Sequence, residues 1–121
     1  NIQALPYPDN VFDTTISRNV LHGIFLSATT DSITKALSEL MRVTKEGGTL
    51  TYAIKSPEYI RTAIIKDIED QESRNNLLLK LKQGIETEAQ YFEYIQSLGN
   101  KVSVVFRGPR RIVKIEKRKV Q

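Results

Sequence analysis

Apolar residues recur at Ile33, Ala36, Leu37, Leu40 and Met41, a spacing of i, i+3, i+4, i+7 and i+8 that lays one apolar stripe along a helix. The helix starts at Asp31 or Ser32, either of which can cap it, and its predicted end is Gly47-Gly48, where glycine adopts a left-handed conformation at no steric cost. On both sides the pattern changes to short runs of β-branched and aromatic residues. Val11 to Ser17 follows the turn-forming Pro8-Asp9-Asn10, and Thr49 to Ile54 follows the glycine pair. Ser56-Pro57 then supplies a cap and a first-turn proline. Glu58 to Leu98 reads as mostly helical, with breaks near Ser73 to Asn76 and at Gly84, a capping box at Thr87 and Gln90, and a stop at Gly99-Asn100. Tyr91, Phe92, Tyr94 and Ile95 have the spacing of a helix packing into a core. Lys101 to Arg107 and Arg111 to Glu116 are β-rich runs joined by Gly108-Pro109, which predicts a closing antiparallel hairpin.

A strand, a helix and a strand of these lengths favour a parallel pair joined by a crossover. The predicted fold is therefore α/β, part of a doubly wound sheet. Its first strand expects a further parallel neighbour, so that edge requires a partner.

Composition narrows the class. The 121 residues, 40% apolar and 26% charged, suit a single folding unit over 1–121. No apolar run reaches the roughly 20 residues of a membrane span, and no signal-like succession opens the chain. A cytoplasmic setting is the expectation, with no membrane partner. The absence of cysteine excludes disulfides, thiolate metal sites and a cysteine nucleophile, and the single histidine builds no zinc site. No metal is expected. The chain opens on Asn1 rather than Met, as a piece of a longer protein would. Net charge is +4, but the stretch Arg107 to Gln121 carries +6 by itself, leaving the remainder at −2. This basic end has the makings of a nucleic-acid contact. The alternation in Arg111 to Glu116 favours a strand with a charged solvent face, where lysine blunts an exposed edge.

Two motifs carry a resemblance. Leu5-Pro6-Tyr7-Pro8-Asp9-Asn10-Val11-Phe12-Asp13 is similar to the LPFPDNSFD stretch before the fourth strand of many class I S-adenosylmethionine (SAM)-dependent methyltransferases, those of the methyltransferase type 11 kind. Leu37-Ser38-Glu39-Leu40-Met41-Arg42-Val43-Thr44-Lys45-Glu46-Gly47-Gly48 resembles the family's LxExxRVLKPGG helix end, with Glu46 where proline is common. The resemblance covers the whole chain. It implies the C-terminal half of a Rossmann-like methyltransferase domain, strands four to seven ending in an antiparallel hairpin, with flanking helices. The half with the first three strands and the glycine-rich cofactor turn is absent.

By the same resemblance, Asn1 and Ile2 contact the adenine of SAM, Asn1 standing where aspartate is usual, and Ser17 and Arg18 at the carboxyl end of the strand face the cofactor's reactive end. His22 and Tyr59 fall where relatives meet substrate. A neutral imidazole can act as a base, but methyl transfer needs mainly alignment. No catalytic residue follows from the sequence. The implied function is part of a SAM-dependent methyltransferase acting on a small molecule and inactive as this piece alone, with the N-terminal half, another chain or a second copy in a homodimer at the open edge. The alternative is a non-catalytic binding or assembly module derived from that fold. Nucleic-acid binding ranks last.

Overall fold

The computed structural model describes residues 4–18 and 30–119. Strands β1 (Phe12–Arg18), β2 (Thr44–Lys55), β3 (Lys101–Arg107) and β4 (Arg110–Glu116) form one sheet in the order β1-β2-β4-β3. Helix α1 (Thr30–Val43) lies between β1 and β2 in sequence, and those strands are parallel, as the strand, helix, strand pattern predicts. After β2 come a single turn α2 (Pro57–Tyr59), a π-helical turn (Ile60–Ile64), a 3₁₀ turn (Ile65–Asp67) and the long helix α3 (Gln71–Ser97). The hairpin then closes so that its second strand, β4, lies antiparallel to both β2 and β3. The predicted charged edge at Arg111 to Glu116 is therefore corrected. β4 is an interior strand, and the edges are β1 and β3.

Alternation sorts the sheet into two faces. Leu50, Tyr52 and Ile54 of β2 and Val113 and Ile115 of β4 pack on Ile33, Ala36, Leu37, Leu40 and Met41 of α1 and Ile95 of α3. Tyr91 and Phe92 lean on this core, as predicted, whereas Tyr94 turns out to solvent. The opposite face carries Ile16, Thr51, Ala53, Val105 and Ile112. No helix among the described residues packs over it, and Ile16 is 60% exposed and Val105 49%.

The end of α1 differs from expectation. The helix stops at Val43, and β2 begins at Thr44. Its last four carbonyls find partners elsewhere, so no glycine is needed there. Leu40 O accepts from the Thr44 hydroxyl at 2.7 Å and Met41 O from the Lys117 ammonium at 2.8 Å. Arg42 O and Val43 O accept from the backbone N–H groups of Asn10 and Val11 at 2.8 and 2.9 Å. The glycine pair instead serves an irregularity in β2, where the pairing moves from Phe12 with Thr44 to Thr14 with Thr49. Gly47 has φ 79°, and a Cβ on Gly48 would stand 2.5 Å from Asp13 O of β1.

α3 is also simpler than predicted. Neither Ser73 to Asn76 nor Gly84 interrupts it, and the Thr87 hydroxyl donates to Gln83 O within the helix rather than capping a new one. The break lies before Gln71, where the Asp70 carboxylate accepts the Ser73 N–H at 3.1 Å. A glycine inside a helix costs about 1 kcal/mol. Here Leu77, Leu78, Leu81 and Ile85 pack around Ile60, and this burial outweighs one weak position. The predicted stop is in place: Gly99 has φ 99°, and the Gly99 and Asn100 N–H groups return to Gln96 O and Ile95 O.

Candidate functional site

The two sequence motifs meet in space. Glu39 and Arg42 sit one turn apart on α1 and hold the segment before β1. The Leu5 N–H donates to Glu39 Oε1 at 2.9 Å. Arg42 donates to Leu5 O at 3.0 Å, Tyr7 O at 2.8 Å and the Asp9 carboxylate at 2.7 Å, while its Nε bonds Glu39 Oε2 at 2.5 Å. With a second contact to Glu39 Oε1 at 3.2 Å, each guanidinium N–H has a partner. Arg42 holds the Glu39 carboxyl below its ordinary range, followed by the Leu5 N–H, and the Arg42 pKa is raised in return. The motifs are thus a clamp that fixes how the chain enters β1. The i, i+3 spacing of Glu39 and Arg42 shows in the sequence, but their backbone partners do not.

At the other end of β1, a cleft of about 400 Å³ opens across the sheet, lined by Ile16 and Ser17 of β1, Thr51 to Ala53 of β2, and Arg110 and Ile112 of β4. Ser17, a predicted site residue, is buried there and pairs in register with Tyr52. Arg18 is the last residue of β1, paired through its backbone with Ala53. Tyr59 follows the carboxyl end of β2 but does not line this cleft. Its N–H donates to Ser56 Oγ at 3.2 Å, and its ring lies 4.6 Å from the Lys55 ammonium. Asn1, Ile2 and His22 lie outside the described residues. Of the sequence candidates, Ser17 therefore lines the cleft, with Arg18 next to it at the end of β1 and Tyr59 near the neighbouring strand end.

Behind the cleft lies a polar cluster that the sequence did not reveal. The Tyr52 hydroxyl donates to Glu88 Oε2 at 2.5 Å, and Arg111 grips both Glu88 oxygens, with Nη1 at 3.0 Å from Oε2 and Nη2 on Oε1. Glu88 is 1% exposed, and Tyr52 and Arg111 are also buried. Burial first, then the Glu88 carboxylate, pushes the Tyr52 phenol well above its usual value. This triad ties α3 to β2 and β4, and its charge is balanced within the core. Among the described residues, no group of three His, Cys, Asp or Glu side chains is placed to hold a metal, and no helix is long and apolar enough to cross a membrane.

Comparison with known proteins supports this architecture. A methyltransferase-domain family model matches residues 1–52, the part that contains both motifs. No curated protein matches the chain. Among solved structures, a SAM-dependent methyltransferase from Methanosarcina mazei superposes with TM-score 0.56 at 12% identity, covering 99% of this chain and 66% of its own. A Pyrococcus horikoshii protein gives 0.55 at 12% identity, covering 98% of this chain and 57% of its own. An O-methyltransferase family protein from Burkholderia thailandensis gives 0.55 at 11% identity, covering 90% and 31%. The fold is that of part of the Rossmann-like class I methyltransferases, and the resemblance to that class stands. The chain spans from about a third to two thirds of these proteins.

Proposed function

We propose that this chain is the C-terminal part of a SAM-dependent methyltransferase domain that acts on a small molecule, and that it is inactive by itself. The observation that carries the reading is the cleft at the carboxyl ends of parallel β1 and β2, the place where open α/β sheets bind ligands. SAM would supply an electrophilic methyl group. Ser17, paired with core-facing Tyr52, turns its side chain to the helix-covered face, so the end of β1 at Ser17 and Arg18 would offer the cofactor backbone groups there. Asn1 and Ile2 would meet the adenine, and His22 and Tyr59 the substrate. Alignment of a nucleophile against the methyl is the main task of these residues. The donor set fits only one end of the cofactor, because no GxGxG turn occurs in the 121 residues.

The missing contacts belong to a partner, most simply the N-terminal half of the same domain. Sheets with parallel strands are normally covered on both faces, and here Ile16 and Val105 are exposed on the helix-free face. The outer edge of β1 favours a second reading, a non-catalytic assembly module that recruits a strand from another chain or a second copy there. SAM titration by calorimetry separates the two. The chain joined to upstream sequence containing a strand and a glycine-rich turn is expected to bind SAM and transfer its methyl, while the chain alone binds very weakly. A longer chain that folds but binds no SAM would leave the assembly reading.

A further inference from the structure

Three cations share one rung of the sheet. The last pair of β2 and β4 is Lys55 with Arg110, and the last pair of β3 and β4 is Arg107 with Arg110. Directly paired residues share a face, their Cβ atoms about 4.5–5.5 Å apart. Lys55, Arg110 and Arg107 therefore form a row on the helix-free face, beside the hairpin turn. Like charges directly opposite one another destabilise a sheet. The described residues provide no ion pair to any of the three, although Arg42, Lys45, Arg61, Arg111 and Lys114 all have one. Edge protection does not account for the row, because Lys55 and Arg110 lie on interior strands. The row also has a defined place, since Arg110 lines the carboxyl-end cleft and Lys55 stands over the Tyr59 ring at 4.6 Å.

We infer that Lys55, Arg107 and Arg110 form an anion-binding subsite at the rim of the cleft, taking the phosphate or carboxylate group of a small molecule. A guanidinium presents paired N–H donors that match such oxygens, and an anion offsets the repulsion along the rung. Assigning that anion to the methyl acceptor rests on the methyltransferase reading above, whereas the subsite does not. Covering the apolar rows of this face would still leave the rung at the rim.

The test is a backbone-amide NMR titration of the chain with inorganic phosphate and, separately, acetate, at constant ionic strength. Saturable shifts are expected at Lys55, Arg107 and Arg110. Arg110→Gln should weaken binding about tenfold, the order of one charge-assisted hydrogen bond. Lys114→Gln removes the same charge on the same strand and face, and is expected to leave binding unchanged. Shifts that do not saturate, or equal weakening in both variants, would show a diffuse positive surface and overturn the subsite. So would a DNA duplex that binds with both variants equally weakened while phosphate and acetate fail to saturate. SAM is absent from this experiment, so its failure leaves the methyltransferase reading intact.

Discussion

Two carboxylate–guanidinium pairs hold this molecule together in opposite surroundings. Glu39 and Arg42 lie on the half-exposed rim of α1 and direct half of their hydrogen bonds to the backbone of the segment before β1. Glu88 and Arg111 lie in the core, where the third partner is the Tyr52 hydroxyl. The first pair positions a loop, and solvent shares its charge. The second has only its own members to compensate the loss of water, so it is tolerated only while complete. The same chemistry is therefore adjustable at the rim and nearly obligatory in the core.

The sharpest way to break this contrast is Glu88→Ala, which leaves Arg111 buried without its anion. A loss of about 3–5 kcal/mol in unfolding free energy is expected, measured by denaturant titration. The double replacement Glu88→Leu with Arg111→Met should recover most of it. A double variant as unstable as Glu88→Ala would mean that the pair does more than balance charge. Next in size is Tyr52→Phe, expected to cost about 1.5–3 kcal/mol for one hydrogen bond to a charged group.

Tyr52 also gives a pH test in the core. Its folded pKa is raised, so the protonated phenol favours the folded state. Stability is then full below the unfolded value of about 10 and falls as pH rises above it. Tyr52→Phe should flatten that alkaline limb of the thermal unfolding curve. At the rim the sign is reversed. The Glu39 carboxyl is depressed in the fold, so its contribution is complete above the unfolded value of about 4.3 and is lost as pH falls through the lower folded one. Amide exchange at Leu5 should accelerate in that acid window, while the global melting temperature moves less than in Glu88→Ala. Glu39→Gln should abolish the acid step.

The smallest effect is expected from Arg42→Lys. It retains charge but lacks the forked donors that reach Leu5 O, Tyr7 O and Asp9 together. Faster exchange confined to residues 5–11 would support the clamp, and unchanged exchange there would refute it.

Much of the fold was legible because its elements are amphipathic. The stripe from Ile33 to Met41 gave α1, and the β-branched runs gave four strands, a parallel pair and a hairpin. What was not legible depends on groups far apart in sequence. The end of α1 is set by Asn10, Val11 and Lys117, none of which lies in the helix. The hairpin's place in the sheet follows from β4 pairing with β2, which strand propensity does not encode. Glu88 reads as one more charge in a helix until Arg111 and Tyr52 meet it. Of the site, Ser17 could be placed from its position at a strand's carboxyl end, while the cationic rung required the register of three strands.

Lys117 joins the Asn10 side chain, Met41 O and Thr44 O, with contacts of 2.7 to 2.8 Å. On a ribosome this places a delay in the life of α1. Its Met41 carbonyl is synthesised 76 residues before the ammonium that will cap it, a wait of roughly 4–15 s at ~5–20 residues per second. Until Lys117 has been made, the Met41 and Thr44 carbonyls lack the ammonium that joins them in the fold. The closure of this corner is therefore a late event, set by one residue near the end of the hairpin.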